Sequence, residues 1–180
     1  MKVLCSQHVD IKAPADQVFA YVNDLGRWPM WFACVVSAQQ PQDQPLDLET
    51  EVRVCLHAGR RRWQESFEVT RFIRNAFLSF EGLLSAARRI DFRFERRGQL
   101  TRLSCAIGYP VFGGLVPIAL DALFRRPRVQ RELRDSLVHL KNLLEEATTQ
   151  ATWGDDENAW QELRATPAAR QLASPGLRVV

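Results

Sequence analysis

A period of two dominates residues 51–109, and a period of three to four replaces it further along the chain. Apolar and polar side chains alternate over 51–57, 62–71, 76–84, 88–97 and 100–109. Alternate residues of a strand point to opposite faces, so each segment predicts a strand with one solvated face. Short links such as Gly59-Arg60 and Gly98-Gln99 join neighbouring segments. The pattern therefore predicts an antiparallel meander.

A long amphipathic helix follows the predicted sheet over residues 128–147. Its apolar positions step by four and three, which is the stripe of a helix with one buried face; they are Leu133, Leu137, Leu140, Leu144 and Ala147. Residues 128–149 would extend for about 33 Å, enough to cover the concave face of a curved sheet. Pro127 either opens this helix or kinks a longer one that begins near Pro117.

The first forty residues predict a strand, a short helix and a second strand. Residues 3–12 alternate, and Pro14 precedes an apolar face formed by Val18, Phe19 and Val22. An aromatic stretch over residues 27–32 predicts a turn or short helix, and 33–38 a strand. Together these elements predict one α+β domain, a curved antiparallel sheet wrapped around a long C-terminal helix.

Domain organisation follows from a change in composition near residue 150. Residues 1–149 predict the folded domain. Residues 150–180 turn to Ala, Thr, Gln, Pro and Gly with few large apolar groups. They predict a weakly structured tail with one short helix over 155–164.

This order of elements resembles the START-like superfamily, also called SRPBCC or helix-grip, and its polyketide cyclase/dehydrase-like branch. The resemblance is carried by the segments Ile11-Lys12-Ala13-Pro14, Val18-Phe19, Val22-Asn23-Asp24 and Trp28-Pro29-Met30-Trp31, and by the final helix with Leu133, Leu137, Leu140-Lys141 and Leu144-Glu145. It covers roughly residues 3–148. It implies the helix-grip fold, whereas these motifs describe packing and no chemistry.

The resemblance also implies a hydrophobic ligand between the sheet and the last helix. A helix across a strongly curved sheet often leaves the concavity unfilled, and ligand sites are mostly concave and apolar. The predicted ligand-binding residues are Trp63, Phe67, Phe80, Phe92, Phe94, Cys105, Ile107, Tyr109 and Leu137. The competing interpretation is a core filled by these same side chains.

Glu65 and Tyr109 are the candidate catalytic residues. Strict alternation places Glu65 on the same side as Trp63, Phe67 and Val69. An unpaired carboxylate there is costly, so we expect it to be protonated, paired with an arginine or placed at a solvated mouth. It would anchor a ligand hydroxyl or act as a general base. A shifted strand end is the alternative for Glu65, and capping of the core is the alternative for Tyr109.

An entrance is predicted where two apolar segments meet. Residues 108–117 combine glycines with apolar side chains, among them Phe112. With Trp28, Met30 and Trp31 they would rim the cavity, or form only a tight connection.

The sequence lacks the motifs of several classes of function. The four cysteines are scattered without a CxxC pair and fit reduced core thiols. His8 and His57 fall on the predicted outer faces of strands and His139 lies beside the helix stripe, so no metal site is predicted. No cofactor is expected, since phosphate loops and nucleophile elbows are absent. The net charge of +3 comes from arginine clusters that solvated strand ends explain better than nucleic acid does.

The sequence shows neither a signal peptide pattern nor a spanning apolar run, so the expected location is the cytoplasm. Three hypotheses remain open. The favoured one is binding or transport of a hydrophobic small molecule such as a lipid, isoprenoid or polyketide. The second is a metal-free polyketide cyclase or aromatase-like enzyme. The third is an interaction module whose basic rim and tail dock a protein or an anionic membrane surface.

Overall fold

Seven strands form one antiparallel sheet in the computed structural model, which describes residues 2–40, 45–111 and 115–165. The strands are β1 Lys2–Ile11, β2 Val35–Gln39, β3 Glu51–Ala58, β4 Arg61–Ile73, β5 Phe77–Gly82, β6 Ser85–Arg97 and β7 Leu100–Pro110. Their order across the sheet is β1-β7-β6-β5-β4-β3-β2. The predicted meander is confirmed, because β3 to β7 are neighbours in chain order.

Glycines form two of the tight hairpins. Gly59 between β3 and β4 has φ 61°, and Gly98 between β6 and β7 has φ 62°. Glycine tolerates this left-handed backbone at no steric cost, and such turns match the twist of the strands they join. The short links seen in the sequence therefore fix the pairing of Ala58 with Arg61 and of Arg97 with Leu100.

The helices lie before β2 and after β7. They are α1 Ala15–Asn23, a 3₁₀ turn Leu25–Arg27, α2 Trp28–Trp31, α3 Leu115–Leu120, a π-helical turn Asp121–Arg125 and α4 Arg126–Ala165. The longer helix considered in the sequence is the one observed, and it starts before Pro127. A proline ring clashes with the carbonyl four residues earlier and supplies no N–H. The wider π turn directly before Pro127 is a local adjustment that relieves this conflict.

Helix α4 packs against the sheet through a buried stripe. Leu133, Leu137, Leu140 and Leu144 join one apolar core with strand and α1 side chains. Ala147 was predicted in this stripe, but it is exposed. The polar side chain of Ser136 is also buried on this face and is 1% exposed. The α+β helix-grip fold, a curved antiparallel sheet around a long C-terminal helix, is thereby confirmed.

Hydrogen bonds tie α4 to the segment before β2 and hold Trp28 against the end of α1. The Ser136 hydroxyl donates to the Glu132 carbonyl at 2.7 Å and accepts the Ala33 backbone N–H at 2.9 Å. The indole N–H of Trp28 donates to the Val22 carbonyl at 2.8 Å. These bonds satisfy polar groups that burial would otherwise leave unpaired, so both segments keep a defined position.

The chain divides into two units, Met1–Leu144 and Glu145–Val180. The short helix predicted over 155–164 is part of α4, which continues to Ala165. The division into a folded domain over residues 1–149 and a tail over 150–180 stays a prediction. No helix within the described residues has the length and apolar character needed to cross a membrane.

Candidate functional site

A cavity of about 550 Å³ lies between the sheet and the start of α4. Its walls come from the ends of β3 and β7, the first halves of β4 and β6, the segment before β2, and the helical face from the π turn into α4. The lining residues are Phe32, Cys34, Leu56, His57, Ala58, Trp63, Glu65, Phe67, Arg88, Arg89, Ile90, Ile107, Gly108, Tyr109, Pro110, Phe124, Arg125, Arg128, Val129, Glu132, Leu133 and Ser136. Its volume is typical of small-molecule sites.

The cavity occupies one end of the concave face because aromatic side chains fill the rest. The rings of Trp28 and Phe80 are 5.2 Å apart, and those of Trp31 and Phe32 are stacked at 5.0 Å. Phe92 contacts both tryptophans edge-on. Such contacts stabilise a core beyond the area they bury. Side chains therefore fill part of the concave face as a core, and the rest of that face is open as a cavity.

Four of the predicted ligand-binding residues line the cavity: Trp63, Phe67, Ile107 and Tyr109. The other five lie in filled core and do not: Phe80, Phe92, Phe94, Cys105 and Leu137. The sequence assigned each of them correctly to the inner face. It did not distinguish the filled end of that face from the open end.

Of the predicted entrance residues, Trp28, Met30 and Trp31 do not line the cavity. Trp28 and Trp31 are 0% and 1% exposed, since α2 turns both indoles into the core. Met30 is exposed but does not line the cavity. Phe112 lies outside the described residues.

Glu65 is the buried carboxylate of the cavity. Its residue exposure is 6%, and it lies on the inner face with Trp63 and Phe67, as alternation predicted. Oε2 accepts a hydrogen bond from Nη1 of Arg88, whereas Oε1 is buried with no hydrogen-bond partner in the described structure. Pairing with arginine offsets part of the cost of burying the charge. Glu65 therefore belongs to a charged pair at the cavity wall.

Gly82 makes room for this pair. A Cβ built on Gly82 would lie 3.0 Å from Cβ of Arg88, 3.1 Å from the Ser85 carbonyl oxygen and 3.3 Å from Oε1 of Glu65. The β5–β6 register also shifts between Glu81 and Gly82. A glycine at this irregularity lets backbone approach the carboxylate closely.

Tyr109 is held by groups from the π turn. Its hydroxyl donates to Oδ2 of Asp121 at 3.3 Å, and the Arg125 guanidinium lies 4.4 Å from its ring centre. Burial is the main cause that raises the pKa of Tyr109, and the nearby Cys5 and Asp121 act in the same direction. The side chain is therefore a neutral phenol at physiological pH and serves as a hydrogen-bond donor.

Cys34 lines the cavity without being an activated nucleophile. Burial raises the pKa of its thiol to about 12, and the charge of Glu132 adds to the effect. Burial likewise raises the pKa of Cys105. Because the thiolate is the reactive form, both cysteines are inert at neutral pH.

His57 is placed differently from its predicted position. Nε2 lies 2.8 Å from the Ala33 carbonyl oxygen, and the residue lines the cavity. The register of edge strand β2 shifts between Val35 and Ser37, so the segment before it reaches the end of β3. When Nε2 carries a proton, it donates to that carbonyl. No group of three metal-ligating side chains occurs among the described residues.

Charged side chains at the mouth come mainly from positions that the sequence treated as solvated ends. Arg89 pairs with Asp91 at 2.7 Å and with Glu81 at 3.1 Å, and Arg128 pairs with Glu132 at 2.8 Å. The Arg128 and Glu132 spacing of four residues on a helix is a signal that could have been noticed. The sequence could not show that these two residues lie at a cavity, because their position depends on where α4 crosses the sheet.

The arrangement combines an apolar chamber with hydrogen-bonding groups at its wall. Apolar ligand surface would be removed from water against Trp63, Phe67 and Ile107. The Glu65 and Arg88 pair and the Tyr109 phenol would orient a polar group of the ligand.

Comparison with known proteins agrees with this architecture. The sequence profile of the family described as polyketide cyclase / dehydrase and lipid transport matches residues 3–145. No curated protein matches the chain.

Three solved structures illustrate the shared fold. The Zhui aromatase/cyclase from a Streptomyces species is 13% identical with a TM-score of 0.63, over 82% of this chain and 96% of that one. A START superfamily protein from Mycobacterium smegmatis is 16% identical with a TM-score of 0.55, over 82% and 98%. A protein of unknown function from Staphylococcus aureus is 8% identical with a TM-score of 0.67, over 83% and 97%. At these identities the likeness shows the fold alone.

Proposed function

Because the chain belongs to the polyketide cyclase / dehydrase and lipid transport family, we propose that it binds and carries a hydrophobic small molecule in the cavity between the sheet and α4. The ligand class includes lipids, isoprenoids and polyketides. Family membership supports a hydrophobic ligand-binding or cyclase role in general. The carrier role is the more specific proposal.

The observation that carries the proposal is the unfilled, largely apolar chamber beside a core that is otherwise closely packed. Burial of apolar ligand surface contributes about 25 cal/mol per Å², so each 100 Å² removed from water stabilises the complex by about 2.5 kcal/mol. Ordering of the ligand offsets part of this gain. A ligand that fills the chamber would still bind tightly without any covalent step.

A cavity-filling variant tests the carrier role. Ile107→Trp adds bulk at the cavity wall on β7, and Ile73→Trp makes the same substitution at an exposed position at the end of β4 that lies away from the cavity. Native mass spectrometry of the purified protein should detect a copurified ligand in the wild type and in the Ile73 variant, and much less in the Ile107 variant.

A titration with a fluorescent apolar probe should give the same ranking of affinities. Equal probe affinity in all three proteins, each folded by circular dichroism, would contradict binding in this cavity.

A cyclase or aromatase-like activity is the second candidate, and the buried Glu65 favours it. The pKa values of Tyr109 and Cys34 are raised, so both keep their protons at neutral pH. Glu65 is the more buried of the two carboxylates that line the cavity, the other being Glu132. A general base at this position would accept a proton from a carbon between two carbonyl groups of a poly-β-ketone. Tyr109 would donate a hydrogen bond to the resulting enolate oxygen, its hydroxyl turning from Asp121 to the ligand.

Glu65→Gln separates the two candidates. It keeps the shape and a hydrogen-bonding group but removes the proton acceptor. If Glu65 is the base, turnover of a poly-β-ketone substrate should fall by about 100-fold or more while substrate affinity changes little. Unchanged turnover would exclude this role for Glu65, and the carrier proposal would stand on the binding data.

A further inference from the structure

Two arginine-rich segments of the sequence meet beside the cavity mouth. One is the β3–β4 turn, and the other is the helical face from the π turn into α4. We call their exposed arginines the basic rim: Arg60, Arg61, Arg62, Arg125, Arg126, Arg128 and Arg131. Nη2 of Arg128 lies 4.0 Å from the position that a Cβ on Gly59 would take. The turn and the helix are therefore direct neighbours, although they are far apart in sequence.

Most of the charge on the basic rim is uncompensated. Arg128 pairs with Glu132 at 2.8 Å, and Arg125 lies 3.9 Å from Asp121. Among the side chains that the structure describes, the other five rim arginines form no ion pair. The field of the rim is thus positive, and it extends toward any anionic surface within about a Debye length.

Exposed apolar side chains accompany this charge. Leu120, Leu123 and Phe124 are 52%, 68% and 70% exposed, and they directly precede the helical arginines of the rim. Leu84, in the turn between β5 and β6 at the same end of the sheet, is 92% exposed. Single exposed leucines are ordinary, but a group of them beside one basic cluster indicates a binding surface.

We propose that this face docks on an anionic lipid bilayer. The basic rim would contact the phospholipid head groups, and Leu120, Leu123 and Phe124 would enter the boundary between head groups and acyl chains. A fluid bilayer accepts such side chains without a matching pocket, whereas an acidic protein would need one. Phe124 also lines the cavity, so docking would turn the mouth toward the membrane. An apolar ligand would then pass between bilayer and cavity with little exposure to water.

Vesicle cosedimentation of the full chain tests the proposal. We expect binding to phosphatidylcholine vesicles that contain phosphatidylglycerol, weak binding to pure phosphatidylcholine, and release at high salt. Each basic residue near an anionic surface contributes about fivefold in affinity, so Arg126→Ser/Arg131→Ser should weaken binding about 25-fold. Arg74→Ser/Arg96→Ser removes the same charge from exposed positions at the opposite end of the sheet and should change binding little.

A second pair of variants tests the apolar contribution. Leu123→Ser should weaken vesicle binding by about 10-fold, while Leu48→Ser, which changes an equally apolar exposed side chain at the opposite end, should not. Ile107→Trp should retain vesicle binding, which keeps this test independent of the cavity ligand.

Four results would overturn the proposal: no vesicle binding, equal binding to neutral and anionic vesicles, the same loss in the control variants as in the rim variants, or binding of a soluble acidic polypeptide in place of vesicles.

Discussion

The thiol of Cys34 gives a quantitative test of how closed the cavity wall is. Burial raises its pKa from the ordinary 9.0 to about 12 in the folded protein. A group whose pKa is raised on folding contributes stability that is fully present below its unfolded pKa and is lost as the pH rises through the folded value. Between about pH 8 and about pH 10 the thiol ionises in the unfolded chain but stays protonated in the folded one. This costs the folded state about 1.4 kcal/mol.

Cys34→Ala removes this titration. Urea unfolding of the reduced wild type and variant, at both pH values, should show the wild type losing about 1.4 kcal/mol more stability on the alkaline side. The packing cost of the substitution is independent of pH and cancels in the comparison. Cys105→Ala should also lose less stability than the wild type on the alkaline side, because burial also raises the pKa of that thiol.

Parallel pH profiles for the wild type and the Cys34 variant would refute the reasoning. Cys34 would then titrate alike in the folded and unfolded chain, and a reactive thiolate in the cavity would have to be considered again.

Two further predictions concern the packing around the site. Gly82→Ala should lower the free energy of unfolding by about 1–3 kcal/mol, since the new Cβ meets Arg88 Cβ at 3.0 Å and the Ser85 carbonyl at 3.1 Å. Denaturant titration measures this loss of stability. An unchanged midpoint would show that the strands move apart around the new Cβ at no cost in free energy. Leu137→Ala should cost about 2–5 kcal/mol because Leu137 is 1% exposed, whereas Val138→Ala on the exposed face should cost far less. Equal losses in the last two variants would contradict the assignment of the buried face of α4.

Local patterns predicted the elements well. The period of two located β3 to β7 to within a few residues, and the spacing of Leu133, Leu137 and Leu140 located the buried stripe of α4. Glu65 was correctly placed on the inner face, because alternation along β4 continues without a break from Trp63 to Val69. These features depend on residues close in sequence, so the sequence alone carries them.

The candidate site was predicted less well, for reasons that lie in long-range packing. Trp28 and Trp31 look like entrance residues in a stretch interrupted by Pro29, yet α2 inserts both into the core. Glu132 gave no signal of a cavity, since it lines the cavity only after α4 has crossed the sheet. The contact of Asp121 with Tyr109 likewise depends on where the π turn packs. His57 reaches the cavity through an irregular register at β2.

The sequence by itself determined the order of the elements, the face of each that is buried, and the family. Tertiary structure alone decided where the concave face is filled and where it is open. The cause is that a void is the difference between the space enclosed by the backbone and the volume of side chains from distant segments, such as Trp28 against Phe80. The meeting of Arg128 with the turn at Gly59 has the same origin. No local period encodes either contact.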